Sequence, residues 1–220
     1  MRRPRAILGC LLLAALLPAQ DDLESIFARM RERQKSVNTL QVRFVQEKTS
    51  SLLLKPTVSE GMMSYGSPSL VRWEYTTPDP YTILIDGDTF KAYYPTLKKL
   101  KTARITRMRH RVFNFLLATE PLEKLKNHFQ VELRFAQRKP TFTLVLTPLT
   151  PRLAKYIRSV TLIVDKQLLL PVELLIQEKD KDSTRLVFSN HAINPVLPEG
   201  TFRLDVPPGT VVEEYQAGGR

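Results

Sequence analysis

Residues 61–95, GMMSYGSPSLVRWEYTTPDPYTILIDGDTFKAYYP, constrain the fold more than any other stretch of this chain. In residues 70–75 the apolar Val71, Trp73 and Tyr75 alternate with Arg72 and Glu74, so one face of an extended strand is apolar and the other charged. Thr77-Pro78-Asp79-Pro80 ends that strand, because a proline has no N–H to donate to a ladder. Residues 81–85 form the next expected strand, Asp86-Gly87 is a turn pair suited to a tight hairpin, and residues 90–94 return before Pro95. The expectation is an aromatic-rich antiparallel meander.

The pattern on either side is mostly strand. Residues 41–48 begin the sheet, and strands are expected again over 131–136, 141–147, 159–164, 171–178, 184–190 and 201–206, with a polar turn over 179–183. Helical spacing is confined to three places. Over 21–36 the apolar Leu23, Ile26, Phe27 and Met30 form a stripe, with Asp21 and Asp22 at the start and Arg31, Arg33 and Lys35 near the end, as the helix dipole favours. Over 103–118 a second stripe is made by Ile105, Met108, Val112, Phe115 and Leu116, beside the basic Arg104, Arg107 and Arg111. A short helix is expected around 121–127. The fold class is therefore mainly β with α (α+β): about ten antiparallel strands in one domain spanning 20–220. Such a sheet must curl or close to bury its apolar face. That face carries Phe44, Val71, Trp73, Tyr75, Ile83, Ile85, Phe90, Leu144, Leu162, Leu174 and Phe188. Periodicity alone leaves two readings of it open, a packed core and a lined cavity. The two longer helices are the segments fit to plug or cover it.

Residues 1–19 read as a secretory signal peptide. Arg2, Arg3 and Arg5 give a positive start, residues 6–17 an apolar core too short for an ordinary membrane span, and Leu17-Pro18-Ala19 a cleavage point. Ile7-Leu8-Gly9-Cys10 looks like a lipoprotein-processing box, but it sits inside the apolar run rather than closing it. Cleavage near Ala19 would remove the single cysteine, leaving no disulfide framework. An exported, disulfide-free chain suits a bacterial periplasm.

The whole chain has 33 Lys+Arg against 22 Asp+Glu. A basic protein can meet nucleic acid, anionic lipid or an acidic partner; export and the lack of basic runs interleaved with stacking aromatics argue against nucleic acid. Catalysis finds little support. His110, His128 and His191 are dispersed without metal-ligand spacing, and there is no nucleophile elbow, P-loop or dinucleotide fingerprint. No catalytic residue, metal or cofactor is expected, nor a stable oligomer.

The stretch 61–95 also resembles the LolA-type periplasmic lipoprotein carriers, through Pro68, Arg72-Trp73, Pro78, Asp86-Gly87-Asp88-Thr89, Tyr93 and Pro95. Phe44-Val45-Gln46 is similar to that family's early strand, and Phe202 with Pro207-Pro208-Gly209 to its last strand and C-terminal turn. The resemblance implies an incomplete antiparallel β-barrel capped by a helical lid. It implies acyl-chain contacts from the eleven residues of the apolar face and lid contacts from Ile105, Met108, Val112, Phe115 and Leu116. It further implies acylated lipoproteins as cargo, an inner-membrane lipoprotein-releasing complex as donor and an outer-membrane acceptor. The basic run Lys98, Lys99, Lys101, Arg104 and Arg107 is the expected docking surface for such partners. A carrier of another lipid, or a membrane-anchored acceptor of the LolB kind, is the alternative. One departure stands out. Where family members commonly hold an arginine that latches the lid, this chain has Ser67, which is too short and uncharged to make that contact.

Overall fold

The computed structural model describes residues 22–104, 123–135 and 140–215. The expected signal peptide, the lid residues Ile105, Met108, Val112, Phe115 and Leu116, and Arg107 lie outside them.

Twelve strands form one open sheet. The meander foreseen around residues 61–95 is a run of sequential antiparallel strands: β1 (Thr39–Thr49), β2 (Thr57–Gly66), β3 (Leu70–Thr77), β4 (Tyr81–Asp86), β5 (Thr89–Tyr94) and β6 (Lys99–Arg104). A second antiparallel run is β7 (Phe129–Phe135), β8 (Thr141–Pro148), β9 (Ile157–Asp165), β10 (Pro171–Glu178) and β11 (Ser183–Ile193). The two runs join where β1 pairs antiparallel with β11, Phe44 lying opposite Phe188. β12 (Val211–Tyr215) then pairs parallel with β6, which completes the order β12-β6-β5-β4-β3-β2-β1-β11-β10-β9-β8-β7. The outermost strands, β12 and β7, are not paired with each other. The half-barrel is open.

Three helices are described: α1 (Leu23–Lys35), α2 (Glu123–Lys126) and α3 (Pro151–Ala154). α1 starts where Asp22 accepts a hydrogen bond from the Ser25 N–H at 2.7 Å, satisfying one of the donors a helix start leaves free. Ile26, Phe27 and Met30, spaced by 1 and 3, are fully buried in the same hydrophobic cluster as the sheet's apolar face. α1 is tied down at both ends. Arg33 Nε donates to the Leu168 carbonyl in the β9–β10 turn at 2.9 Å, and Glu24 pairs with Lys126 of α2.

Several expectations need correction. The sheet has twelve strands where about ten were expected: β2, β6 and β12, whose own alternation is weak, are added by pairing with their neighbours, and one expected strand is absent. Ala103 and Arg104, expected to open a helix, end β6 opposite Phe90 and Thr89. Residues 201–206 form no strand. The segment pairs with no strand among the described residues and crosses the outer face of the sheet as a strap. Arg72, on the charged face of β3, holds the strap by donating from Nη1 to the carbonyls of Thr201 and Arg203 at 3.4 and 3.2 Å. Phe202 lies over Gly66, where a β-carbon would stand 2.8 Å from its ring.

Candidate functional site

The inner face is organised in rows that run across the strands, because directly opposed residues in neighbouring antiparallel strands share a face. Leu133, Leu144, Leu162, Leu174 and Leu186 lie opposite one another in turn, one leucine from each of β7, β8, β9, β10 and β11. Four strand spacings of ~4.8 Å make this leucine row about 19 Å long. On the other half the residues are aromatic. Phe188 faces Phe44, Phe44 faces Gly61, Gly61 faces Tyr75 and Tyr75 faces Tyr81, which stacks on Tyr94. A neighbouring row passes through Val42, Met63, Trp73, Ile83 and Ala92 and ends at Lys101.

Phe44 is the pivot of the aromatic half. Its ring meets Trp73 edge-on at 4.8 Å and Tyr75 at 4.9 Å between centroids, the geometry that ring quadrupoles favour. It can lie there because Gly61, directly opposite, has no side chain. Tyr75 and Tyr81 stack at 4.1 Å, and the Tyr75 hydroxyl donates to Gln46 Oε1 at 3.0 Å. Burial pushes that hydroxyl far above its ordinary value of 10.0, so it stays a neutral donor. Trp73, the only tryptophan, buries its indole N–H without a hydrogen-bond partner among the described residues. A buried donor left unpaired is costly in an apolar interior.

All eleven residues expected on the apolar face belong to this one cluster: Phe44, Val71, Trp73, Tyr75, Ile85, Leu144, Leu162, Leu174 and Phe188 are buried, and Ile83 and Phe90 are partly buried against them. The basic set is not brought together in the same way. Lys99 and Lys101 belong to β6, and Lys99 pairs with Glu213 of β12 at 2.6 Å. That contact raises the lysine's pKa and holds the Glu213 carboxyl below its ordinary value. Lys101 lies over the rings of Tyr94 and Tyr215 at 5.4 and 5.9 Å from their centroids. Lys98 and Arg104 are exposed. Ser67 is exposed, and its N–H donates to the Asn38 carbonyl at 2.8 Å. The sequence reading missed the Trp73 donor and the β6–β12 pairing. A lone tryptophan on a strand carries no sign of whether its N–H is paired, and Val211-Val212 is too short a β-branched run to mark a strand.

A family model described as the outer membrane lipoprotein carrier protein LolA matches residues 35–205. The chain belongs to the LolA family. LolA is a family of carrier proteins. An outer-membrane lipoprotein carrier protein of Proteus mirabilis is 24% identical over 203 residues, which cover 92% of each chain. One from Yersinia enterocolitica is 28% identical over 95 residues, so the match spans 43% of this chain and about half, 46%, of that carrier's length. A crystal structure of an uncharacterized conserved protein from Thermus thermophilus superposes with a TM-score of 0.56 at 11% identity, covering 88% of this chain and all of that one. That likeness concerns the fold alone.

Proposed function

We propose that this LolA-family chain works in the periplasm, sheltering the acyl chains of lipoproteins against its inner face while they pass from inner to outer membrane. The observation that carries the reading is the unbroken leucine row merging with an aromatic floor on one face of an open sheet. Burying hydrocarbon is worth ~0.8 kcal/mol per CH₂, so one long acyl chain gains on the order of 10 kcal/mol by leaving water. A carrier needs a face that is apolar throughout, with few polar anchors to slow release. Phe44, Val71, Trp73, Tyr75, Ile83, Ile85, Phe90, Leu144, Leu162, Leu174 and Phe188 are the proposed acyl contacts. Ile105, Met108, Val112, Phe115 and Leu116 are the proposed lid contacts. With Ser67 exposed, the lid is held by some other group than an arginine at that position.

The signal peptide over 1–19 fits this placement, and so do an inner-membrane releasing complex and an outer-membrane acceptor as partners. Of the expected docking residues, Lys98 and Arg104 suit such a surface best, since Lys99 and Lys101 already have partners within the sheet edge. Native mass spectrometry of the protein purified from its own periplasm tests the proposal. A co-purifying polypeptide with an acylated N-terminal cysteine is the expected species. Free phospholipid or glycolipid as the sole bound species would replace lipoproteins with lipid as the cargo.

A further inference from the structure

One end of the sheet carries a group of large apolar side chains that are exposed among the described residues. The β1–β2 tip, residues 50–56, presents three consecutive leucines: Leu52 is 92% exposed, Leu53 53%, and Leu54 entirely. Such a run on a soluble surface is unusual, since single exposed apolar residues are ordinary and contiguous ones mark contact sites. The tip is also held in place. Asp182, in the β10–β11 turn, accepts from Ser50 Oγ at 2.9 Å and from the Ser51 N–H at 2.8 Å, and the Leu53 N–H donates to the Ser50 carbonyl at 3.0 Å. The β10–β11 turn is in turn bonded to the β8–β9 connection, where the Lys179 N–H donates to the Tyr156 carbonyl at 3.1 Å. That connection adds the exposed Leu149 and Tyr156. Three hydrogen-bonded turns therefore project five large apolar side chains from the same end.

The charge around them is mixed but mainly basic. Lys48, Lys55, Arg152, Lys155, Lys179 and Lys181 are exposed on these segments; the acidic groups are Glu47, Glu178, Asp180 and Asp182, the last already engaged by Ser50 and Ser51. Apolar side chains ringed by lysines match the interface of an anionic bilayer, where leucine and tyrosine enter the acyl boundary and ammonium groups meet lipid phosphates. A protein partner would instead be expected to meet a broad flat patch with a polar rim, rather than leucines raised on a narrow tip.

From this arrangement we infer that the Leu52-Leu53-Leu54 tip, with Tyr156 and the surrounding lysines, is a reversible docking site for an anionic lipid surface. The inference is independent of cargo: a chain that carried no lipoprotein would still dock. Co-sedimentation with vesicles of phosphatidylcholine containing roughly a third phosphatidylglycerol tests it, against pure phosphatidylcholine and at two salt concentrations. The wild-type protein is expected to sediment with the anionic vesicles and to be released at high salt. The double variant L52S/L54S should bind at least tenfold more weakly while keeping the wild-type circular dichroism and thermal midpoint, because neither side chain packs against the fold. K179E/K181E should lose the preference for anionic vesicles. Equal binding of L52S/L54S and wild type, both carrying the same N-terminus, would overturn the proposal, as would a failure of the wild type to bind anionic vesicles.

Discussion

Gly61→Ala should be among the most damaging single-methyl additions to this protein. A β-carbon at that position would stand 2.7 Å from Phe44 Cζ and 2.9 Å from the Glu74 carbonyl carbon, and closer still to the Glu74 oxygen. Contacts under 3.0 Å are essentially never seen for a real β-carbon, so something must move. The Phe44 ring can turn only by leaving its edge contacts with Trp73 and Tyr75, and Glu74 can retreat only by loosening the β2–β3 ladder. Overpacking a core costs ~1–3 kcal/mol, and losing two aromatic edge contacts adds ~0.5–1.5 kcal/mol each. The sum is about 2–6 kcal/mol. At ~2–4 °C per kcal/mol for a chain of this size, the midpoint of thermal unfolding should fall by roughly 4–24 °C. Gly87→Ala provides the control, since its β-carbon meets nothing and only a positive φ of +53° opposes it, a cost of about 1–2 kcal/mol. Urea titration of wild type, G61A, G87A and the double variant F44L/G61A separates the terms. Shortening residue 44 should return part of the loss by removing the ring contact while the backbone contact persists. A G61A protein within 1 kcal/mol of wild type, or no less stable than G87A, would refute the steric argument.

Three further outcomes follow from the electrostatics and the strap. Arg72→Ala removes the two hydrogen bonds that Nη1 of a half-buried side chain makes to strap carbonyls and should cost about 1–2 kcal/mol, with faster amide hydrogen exchange over residues 201–206 as the specific sign. Glu213 is held below its ordinary value of 4.5 chiefly by the hydrogen bond from Lys99, so its contribution is present above about pH 4.5 and lost as pH falls through the lower folded value. Protection of the β12 amides, corrected for intrinsic exchange, should therefore fall in acid before that of the rest of the sheet, and Glu213→Gln should abolish that pH dependence. Tyr75 is raised by burial, so its contribution is complete below pH 10 and declines as the unfolded chain ionises above it. Tyr75→Phe should lessen the fall in stability above pH 10, read by urea titration across that range, and an unchanged alkaline slope would contradict the burial argument.

The half-barrel was legible where the pleat writes itself into the sequence. Val71, Trp73 and Tyr75 alternate with charges and are buried on one face, while Arg72 emerges on the other. The leucines of β8, β9 and β10 could be placed on the same face by the same rule, though not in the same row, because register between strands is set by pairing that one strand cannot encode. β6 was hidden because its apolar content is a single buried Leu100 among lysines, and the partners that make it a strand lie in β5 and in β12 more than a hundred residues away. The strap was misread for the opposite reason. Phe202 and Leu204 alternate as a strand would, but the segment lies across the sheet instead of beside a strand, and the arginine that holds it belongs to β3.

The seam between β1 and β11 also sets an order of events in time. Every other antiparallel pair in this sheet joins strands adjacent in sequence, so each of the two meanders can zip by local hairpins as it appears. Thr49 must wait for Ser183, and Lys99 for Val211, before the seam and the strap edge can close. Loop closure over such separations is the slow step in topologies of this kind. A chain delivered N-terminus first therefore holds two half-sheets with a bare apolar face until β11 and β12 arrive, and during that interval it is itself a client for whatever shields hydrocarbon from water.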